Sequence, residues 1–92
     1  MPRLLEDLEP GTPVRDSNGT QIGEVRGVYA SGDTRSAEYV LVYWTERGEE
    51  ALIPVDEAMN VSDDGMILRQ NGASYADRPA FDPSANPLIR RL

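Results

Sequence analysis

The most hydrophobic segment of the chain is "AEYVLVYWT" over residues 37–45, which is rich in aromatic and β-branched side chains. Such side chains favour the pleated backbone of a β-strand. A second apolar run over 50–55 follows the polar residues 46–49, and this pattern is typical of a β-hairpin. Residues 14–16 and the mainly apolar stretch over 66–69 are predicted to form two further short strands.

The segment 20–30 carries aliphatic residues at every third position, a spacing that resembles a helix: Ile22, Val25 and Val28. Gly23 and Gly27 within the same segment, together with the β-branched residues, disfavour a helix. A bulge in a strand shifts the alternation of side chains by one residue. We therefore predict a bent strand, with both glycines at a corner of the sheet.

A tight turn precedes this strand in the segment "DSNG" over residues 16–19. Asp16 has a side chain that bonds forward to the backbone, and Gly19 accepts a positive φ. A phosphate-binding loop is the alternative, but the glycines recur every four residues with no following Lys and no predicted helix. Asp16, Gly19, Gly23 and Gly27 are therefore predicted to be structural turn residues.

About five to six short strands with little helix predict an all-β fold, a small, mostly antiparallel β-barrel. Residues 56–60 are expected to form one helical or 3₁₀ turn. After residue 69 the composition changes, because prolines recur every four residues: Pro79, Pro83 and Pro87. The prediction is a barrel domain over 1–69 and a non-regular tail over 70–92. Tyr75 and Phe81 are expected to anchor the tail.

The strand over 37–45 is apolar on both faces, so the register of its hairpin decides which face is core. An even loop over 46–49 would place Thr45 opposite Glu50 and Val42 opposite Ile53. The core face is then predicted to be Val40, Val42, Trp44, Ala51, Ile53 and Val55. The face left outside is Tyr39, Leu41, Tyr43 and Leu52, whose cover would be the N-terminal leucines, the tail or another chain. An odd loop would exchange the two faces.

Composition removes several kinds of chemistry from consideration. The 92 residues contain no Cys and no His, which excludes the commonest metal ligands, thiol nucleophiles and His bases. The net charge is −7, and residues 1–69 carry 14 acidic against 6 basic side chains. Such a body repels phosphates, so direct nucleic-acid binding is not expected. No apolar run approaches the ~20 residues of a membrane helix, and we expect a cytoplasmic protein with no membrane insertion.

Clustered carboxylates suggest two other sites. Asp56, Glu57, Asp63 and Asp64 could hold calcium, but their spacing departs from that of an EF-hand loop. Glu49 and Glu50 are expected to be a solvated hairpin rim rather than a glycosidase pair. We predict no cofactor, no metal and no catalytic residue.

Three segments in this order resemble the PRC-barrel family: "GTPVRDSNGTQIGEVRGVY", "AEYVLVYW" and "EEALIPVDEAMNVSDDGMIL". The resemblance covers about residues 8–69. It implies a small antiparallel barrel that serves as a docking module and has no catalytic residues to transfer.

The expected function is therefore a non-catalytic protein–protein interaction or assembly module. Its partner would be another protein or a second copy, in a homodimer. The candidate interaction residues are Tyr39, Leu41, Tyr43, Leu52, Leu88 and Ile89. The last two belong to an apolar chain end that either docks or is a disordered terminus. The alternative function is a small-ligand or ion-binding β-barrel, which would need a pocket with convergent polar groups.

Overall fold

The computed structural model describes residues 8–33, 36–62, 65–75, 80–82, 84–85 and 88–92. These residues form seven strands: β1 (Pro13–Arg15), β2 (Gln21–Ser31), β3 (Tyr39–Trp44), β4 (Glu49–Pro54), β5 (Ala58–Ser62), β6 (Gly65–Leu68) and β7 (Ile89–Arg91). Two 3₁₀ turns, Val55–Glu57 and Gly72–Tyr75, complete the described structure, which contains no α-helix. The prediction of an all-β fold is confirmed.

The strands form one sheet in the order β4-β3-β2-β1-β6-β5, with β7 added beside β2. The pairings are antiparallel except that of β1 with β6, so the sheet is mostly antiparallel as predicted. The predicted closure into a barrel is not observed, because β4 and β5 lie at opposite ends of the order and do not pair within the described residues. Each therefore presents an edge.

The sheet contains seven strands rather than five or six. The helical turn expected over 56–60 is a shorter 3₁₀ turn that ends at Glu57, and β5 follows at once. Pairing with β6 supplies the backbone hydrogen bonds that make this unremarkable sequence a strand. The other additional strand, β7, lies in the tail and pairs with residues 29–31 of β2.

The predicted bulge in β2 is confirmed. The pairing with β3 shifts between Val25 and Gly27, which leaves Arg26 as an additional residue on β2. A second irregularity lies opposite β1, where Gly23 and Gln21 have partners and Ile22 does not. These two shifts explain how aliphatic residues spaced by three in a strand all reach the core.

The hairpin between β3 and β4 has an even loop, but the predicted partners were wrong. Val42 lies opposite Ala51 rather than Ile53, and Trp44 rather than Thr45 forms the last pair, with Glu49. The loop ends at Gly48, whose φ of 64° favours glycine, so the turn closes one residue earlier than predicted. A shift of the pairing by two residues preserves the faces, and the predicted core face is therefore correct.

One core lies on the inner face of the sheet. Both ends of the sheet contribute to it, since Ile53 of β4 and Met66 of β6 belong to the same cluster. Leu8 and Tyr75, from outside the strands, complete it, while Leu4 and Leu5 lie outside the described residues. The full cluster is Leu8, Val14, Ile22, Val25, Val28, Val40, Val42, Trp44, Ile53, Met66, Leu68 and Tyr75.

Candidate interaction surface

Asp16 joins the first turn of the sheet to the beginning of the tail. Its carboxylate is buried and accepts the N–H groups of Asn18 (3.0 Å), Thr20 (3.1 Å) and Gly72 (2.8 Å). The bond from Gly72 is the largest effect lowering the pKa of Asp16 from its ordinary value of 3.8, while burial acts to raise it. This carboxylate is therefore a structural anion, held charged by backbone donors.

Gly19 closes the turn that Asp16 begins. The N–H of Gly19 donates to the Asp16 carbonyl (3.0 Å), and the φ of Gly19 is 85°. No atom lies within 4 Å of the position that a Cβ would take there, so backbone conformation alone demands glycine. The structural role of both residues stays a prediction, and this geometry favours it.

The two strand glycines lie on opposite faces of β2. Gly23 is opposite Trp44 on the inner face, where a Cβ would collide with the carbonyl oxygen of Tyr43. Gly27 is opposite Leu41 on the outer face, where a Cβ would lie 3.2 Å from Nε of Arg91. Both therefore permit close approach, the first of a backbone and the second of a side chain.

The outer face of β2, β3 and β4 carries three rows of directly opposed residues, which share a face because side chains alternate along each strand. The rows are Tyr29–Tyr39–Pro54, Gly27–Leu41–Leu52 and Glu24–Tyr43–Glu50. We call these nine residues the outer patch. Tyr39, Tyr43 and Leu52 are half-buried, whereas Leu41 is only 4% exposed. Neighbouring side chains therefore cover the middle of the patch.

The tail supplies part of this cover. The ring of Phe81 packs edge-on against Tyr29, with centroids 5.5 Å apart and planes at 64°. The backbone N–H of Phe81 donates to the carbonyl of Glu50 on the edge strand β4 (2.7 Å). An open groove of about 430 Å³ remains around these groups, and we call it the Phe81 groove. Its lining residues are Pro10, Arg26, Tyr29, Leu41, Glu50, Phe81 and Arg91.

Two arginines frame the Phe81 groove. The guanidinium of Arg26, the bulge residue, lies 4.7 Å from the centroid of the Tyr43 ring and 3.2 Å from a carboxylate oxygen of Glu24. Arg91 lies beside Gly27 and donates from Nη2 to the carbonyl of Arg26 (3.3 Å). Two cations therefore border this groove, on a chain whose net charge is −7.

Comparison with known families gives one match. The model of the PRC-barrel domain family matches residues 10–73 of the 92-residue chain. The chain belongs to the PRC-barrel family. No curated protein and no solved structure is significantly similar to it.

The matched part of this PRC-barrel protein ends at residue 73, just beyond Gly72. It contains the outer-patch residues of all three strands and excludes Phe81 and Arg91. The division into a domain over 1–69 and a tail over 70–92 stays a prediction. Tyr75, beyond the match, is 2% exposed in the core, where its hydroxyl donates to Glu57 (2.9 Å) and accepts from the Gln70 N–H (3.2 Å).

The structure brings most of the predicted interaction residues together. Tyr39, Leu41, Tyr43 and Leu52 lie in the outer patch. Ile89 is opposite Ser31, so it extends the same face beyond the patch along β7. Leu88 is apart from the patch and is 73% exposed, although its carbonyl accepts the Gly32 N–H (2.8 Å).

Sequence reasoning missed three groups that shape this surface: Arg26, Tyr29 and Arg91. Their positions depend on the bulge and on β7, which pairs Tyr29 with Arg91. Alternation counted from Gly27 would have placed Tyr29 on the outer face. No sequence signal marks Arg91, because its location follows from a strand pairing 62 residues away in the chain.

In the ranges that the structure describes, no three acidic side chains cluster closely enough to hold a metal ion. Asp63 and Asp64, considered above for calcium, lie outside those ranges. The described part of the chain also has no helix of the length and apolarity that a membrane span requires.

Proposed function

We propose that this PRC-barrel protein is a non-catalytic protein–protein interaction or assembly module, and that its partner docks on the outer patch. The observation that carries the proposal is the second apolar face of β3. Tyr39 and Tyr43 remain half-buried on that face after the chain has covered Leu41. Tyr is suited to such a surface, because its ring is buried by a partner while its hydroxyl stays in water.

The edge strand β4 supports docking at this place. Leu52 lies on β4 next to Leu41, and β4 pairs with only one strand within the described residues. An edge strand can bind an extended partner through its backbone, while side-chain contacts give selectivity. The partner is proposed to be a protein rather than a nucleic acid, because a net charge of −7 repels phosphates.

The absence of a catalytic role is part of this proposal. Asp16 is the carboxylate with the clearest pKa shift, and the shift lowers its pKa, opposite to what a general acid at neutral pH needs. Its oxygens accept three backbone N–H groups. Asp16 therefore supports a structural role, in line with the family's use as a docking module.

The alternative of a small-ligand or ion-binding module receives less support. A groove of about 510 Å³ lies beside Trp44 and includes Asp16 and Arg47 in its lining. This groove is open, and the buried carboxylate of Asp16 already accepts a backbone hydrogen bond from Gly72. A ligand site needs convergent polar groups that are available to the ligand.

Charge introduced on the outer patch tests the proposal. Leu52→Glu places a carboxylate on β4, and Met59→Glu is the matched control, since Met59 is an exposed apolar residue on the opposite edge strand β5. Tagged full-length proteins would capture partners from extracts of the native cells, with quantitative mass spectrometry. Sedimentation velocity would measure self-association.

We expect Leu52→Glu to reduce recovery of a specific partner, or of the second copy, by about tenfold or more, because burying an unpaired charge costs more than 1.4 kcal/mol. Met59→Glu should leave that recovery unchanged. Equal recovery with wild type and both variants would contradict docking on the outer patch.

A further inference from the structure

We infer that Phe81 occupies the groove position that an aromatic residue of a partner would take. The tail of the chain therefore competes with the partner for the Phe81 groove. The partner then presents an extended segment with an aromatic side chain. This inference rests on the proposed function, which it deepens by naming the chemistry of the partner.

The backbone of Phe81 already contacts the sheet as an extended partner would. Its N–H donates to the carbonyl of Glu50 at the edge strand β4. Backbone hydrogen bonds to a sheet edge carry no sequence requirement, so a different chain can make the same contact.

The side chain of Phe81 supplies the selective part of the contact. Its ring meets Tyr29 edge-on, in a groove whose floor includes the buried Leu41. Aromatic pairs in this arrangement add to the stabilisation that burial alone gives. A segment that replaces Phe81 therefore needs an aromatic residue at the same point.

The charges around the groove define the flanking chemistry. Arg26 and Arg91 border it, whereas Glu50 is the single acidic residue in its lining. In the tail the residue after Phe81 is Asp82. Arg26 is paired with Glu24 at 3.2 Å, so a carboxylate next to the aromatic residue would complement Arg91, and we assign the partner an aromatic–acidic segment.

Phe81 is held more weakly than the other aromatic residue of the tail. Tyr75 is 2% exposed, makes two hydrogen bonds through its hydroxyl and lies 6.1 Å from Trp44. Phe81 is half-buried. Segments with few buried contacts open at lower free energy than the core does, so the groove can be vacated while the protein stays folded.

A short peptide tests this inference on the full-length protein. The probe is the acetylated and amidated hexapeptide Ala-Phe-Asp-Pro-Ser-Ala, which has the sequence of residues 80–85. Backbone amide NMR spectra would be recorded during titration of wild type, Phe81→Ala and the control Leu88→Ala. Leu88 does not line the groove.

We expect Phe81→Ala to bind the peptide with shifts at Tyr29, Leu41 and Glu50. Wild type and Leu88→Ala should bind about tenfold more weakly, because a tethered segment at an effective concentration of about 1 mM competes tenfold with a peptide whose dissociation constant is about 0.1 mM. A peptide with Ala in place of Phe should not bind. These three results together would support the inference.

Three results would overturn it: equal affinity for wild type and Phe81→Ala, no binding to Phe81→Ala at about 10 mM peptide, well above the effective concentration of the tether, or an unfolded Phe81→Ala protein. If the peptide fails while Leu52→Glu still removes the captured partner, this inference falls and the proposed function stands. If the peptide binds as expected while Leu52→Glu leaves capture unchanged, the proposed function falls instead.

Discussion

The two faces of β3 are both apolar and differ in what covers them. On the inner face Val40, Val42 and Trp44 are each at most 4% exposed, because both ends of the sheet pack over them. On the outer face Leu41 is equally buried, but Tyr39 and Tyr43 beside it are not. One strand with two apolar faces therefore has one complete core and one partial cover.

The difference follows from the origin of the covering groups. The inner face is covered by both ends of the sheet together with Leu8 and Tyr75 in a single buried cluster, whereas the outer face receives Phe81 from the tail, Arg26 from the bulge and Arg91 from β7. A partial cover can be exchanged for another molecule at a smaller cost than a core. This contrast is why we propose the outer face as the docking surface.

Two neighbouring residues of β4 give the largest expected difference in stability between the two faces. Ile53 is 1% exposed on the inner face, whereas Leu52 is half-buried on the outer face. Ile53→Ala should lower the free energy of unfolding by about 2–5 kcal/mol, because a cavity remains in the core. Leu52→Ala should cost about 1 kcal/mol. Urea unfolding followed by Trp44 fluorescence measures both, and equal losses would show that the outer patch is a second core.

The two glycines of β2 also compare the inner face with the outer face, and the expected losses of stability are smaller. A Cβ on Gly23 meets the backbone carbonyl of Tyr43, which cannot move without the sheet, so Gly23→Ala should cost about 1–3 kcal/mol. A Cβ on Gly27 meets the flexible side chain of Arg91, and Gly27→Ala should stay within about 1 kcal/mol of wild type. Thermal unfolding of both variants compares them. A larger loss for Gly27→Ala would mean that Arg91 is fixed as firmly as the backbone.

The smallest expected effect depends on pH and concerns Asp16, whose carboxylate accepts the Gly72 N–H at the beginning of the tail. Because the folded pKa of Asp16 is below 3.8, its carboxylate stabilises the fold above that pH, and the stabilisation is lost as the pH falls through the folded pKa. The melting temperature of wild type should therefore decrease toward acidic pH more steeply than that of Asp16→Asn.

The exposed Asp33 provides the control, since Asp33→Asn should follow the wild-type curve. Parallel curves for wild type and Asp16→Asn below pH 3.8 would contradict the role given to the Gly72 bond.

Much of the fold could be predicted from local chemistry. Alternation and β-branched residues located β2, β3, β4 and β6, and the glycines located the turn and the bulge. Two strands were missed for a physical reason, since β5 and β7 gain their hydrogen bonds from partners that the local sequence does not specify. The prediction of a closed barrel was wrong, because the pairing of the two edge strands depends on the curvature of the whole sheet.

The candidate site could be predicted only in part, because some of its contacts are not specified by the local sequence. The residues Tyr39, Leu41, Tyr43 and Leu52 follow from alternation once the core face is chosen. Phe81 was expected to anchor the tail, but its contacts with Tyr29 and Glu50 are long-range.

The sequence by itself determined that β3 has two apolar faces, that a turn at Asp16 and Gly19 precedes a bulged strand, and that the family is the PRC-barrel family. These properties are set by neighbouring residues, whose side-chain periodicity and allowed φ angles are local. Only the tertiary structure decided that Phe81 packs against Tyr29 on the outer face and that Arg91 lies beside Gly27. Those contacts join residues far apart in the chain, and their free energy depends on how the whole sheet brings them together.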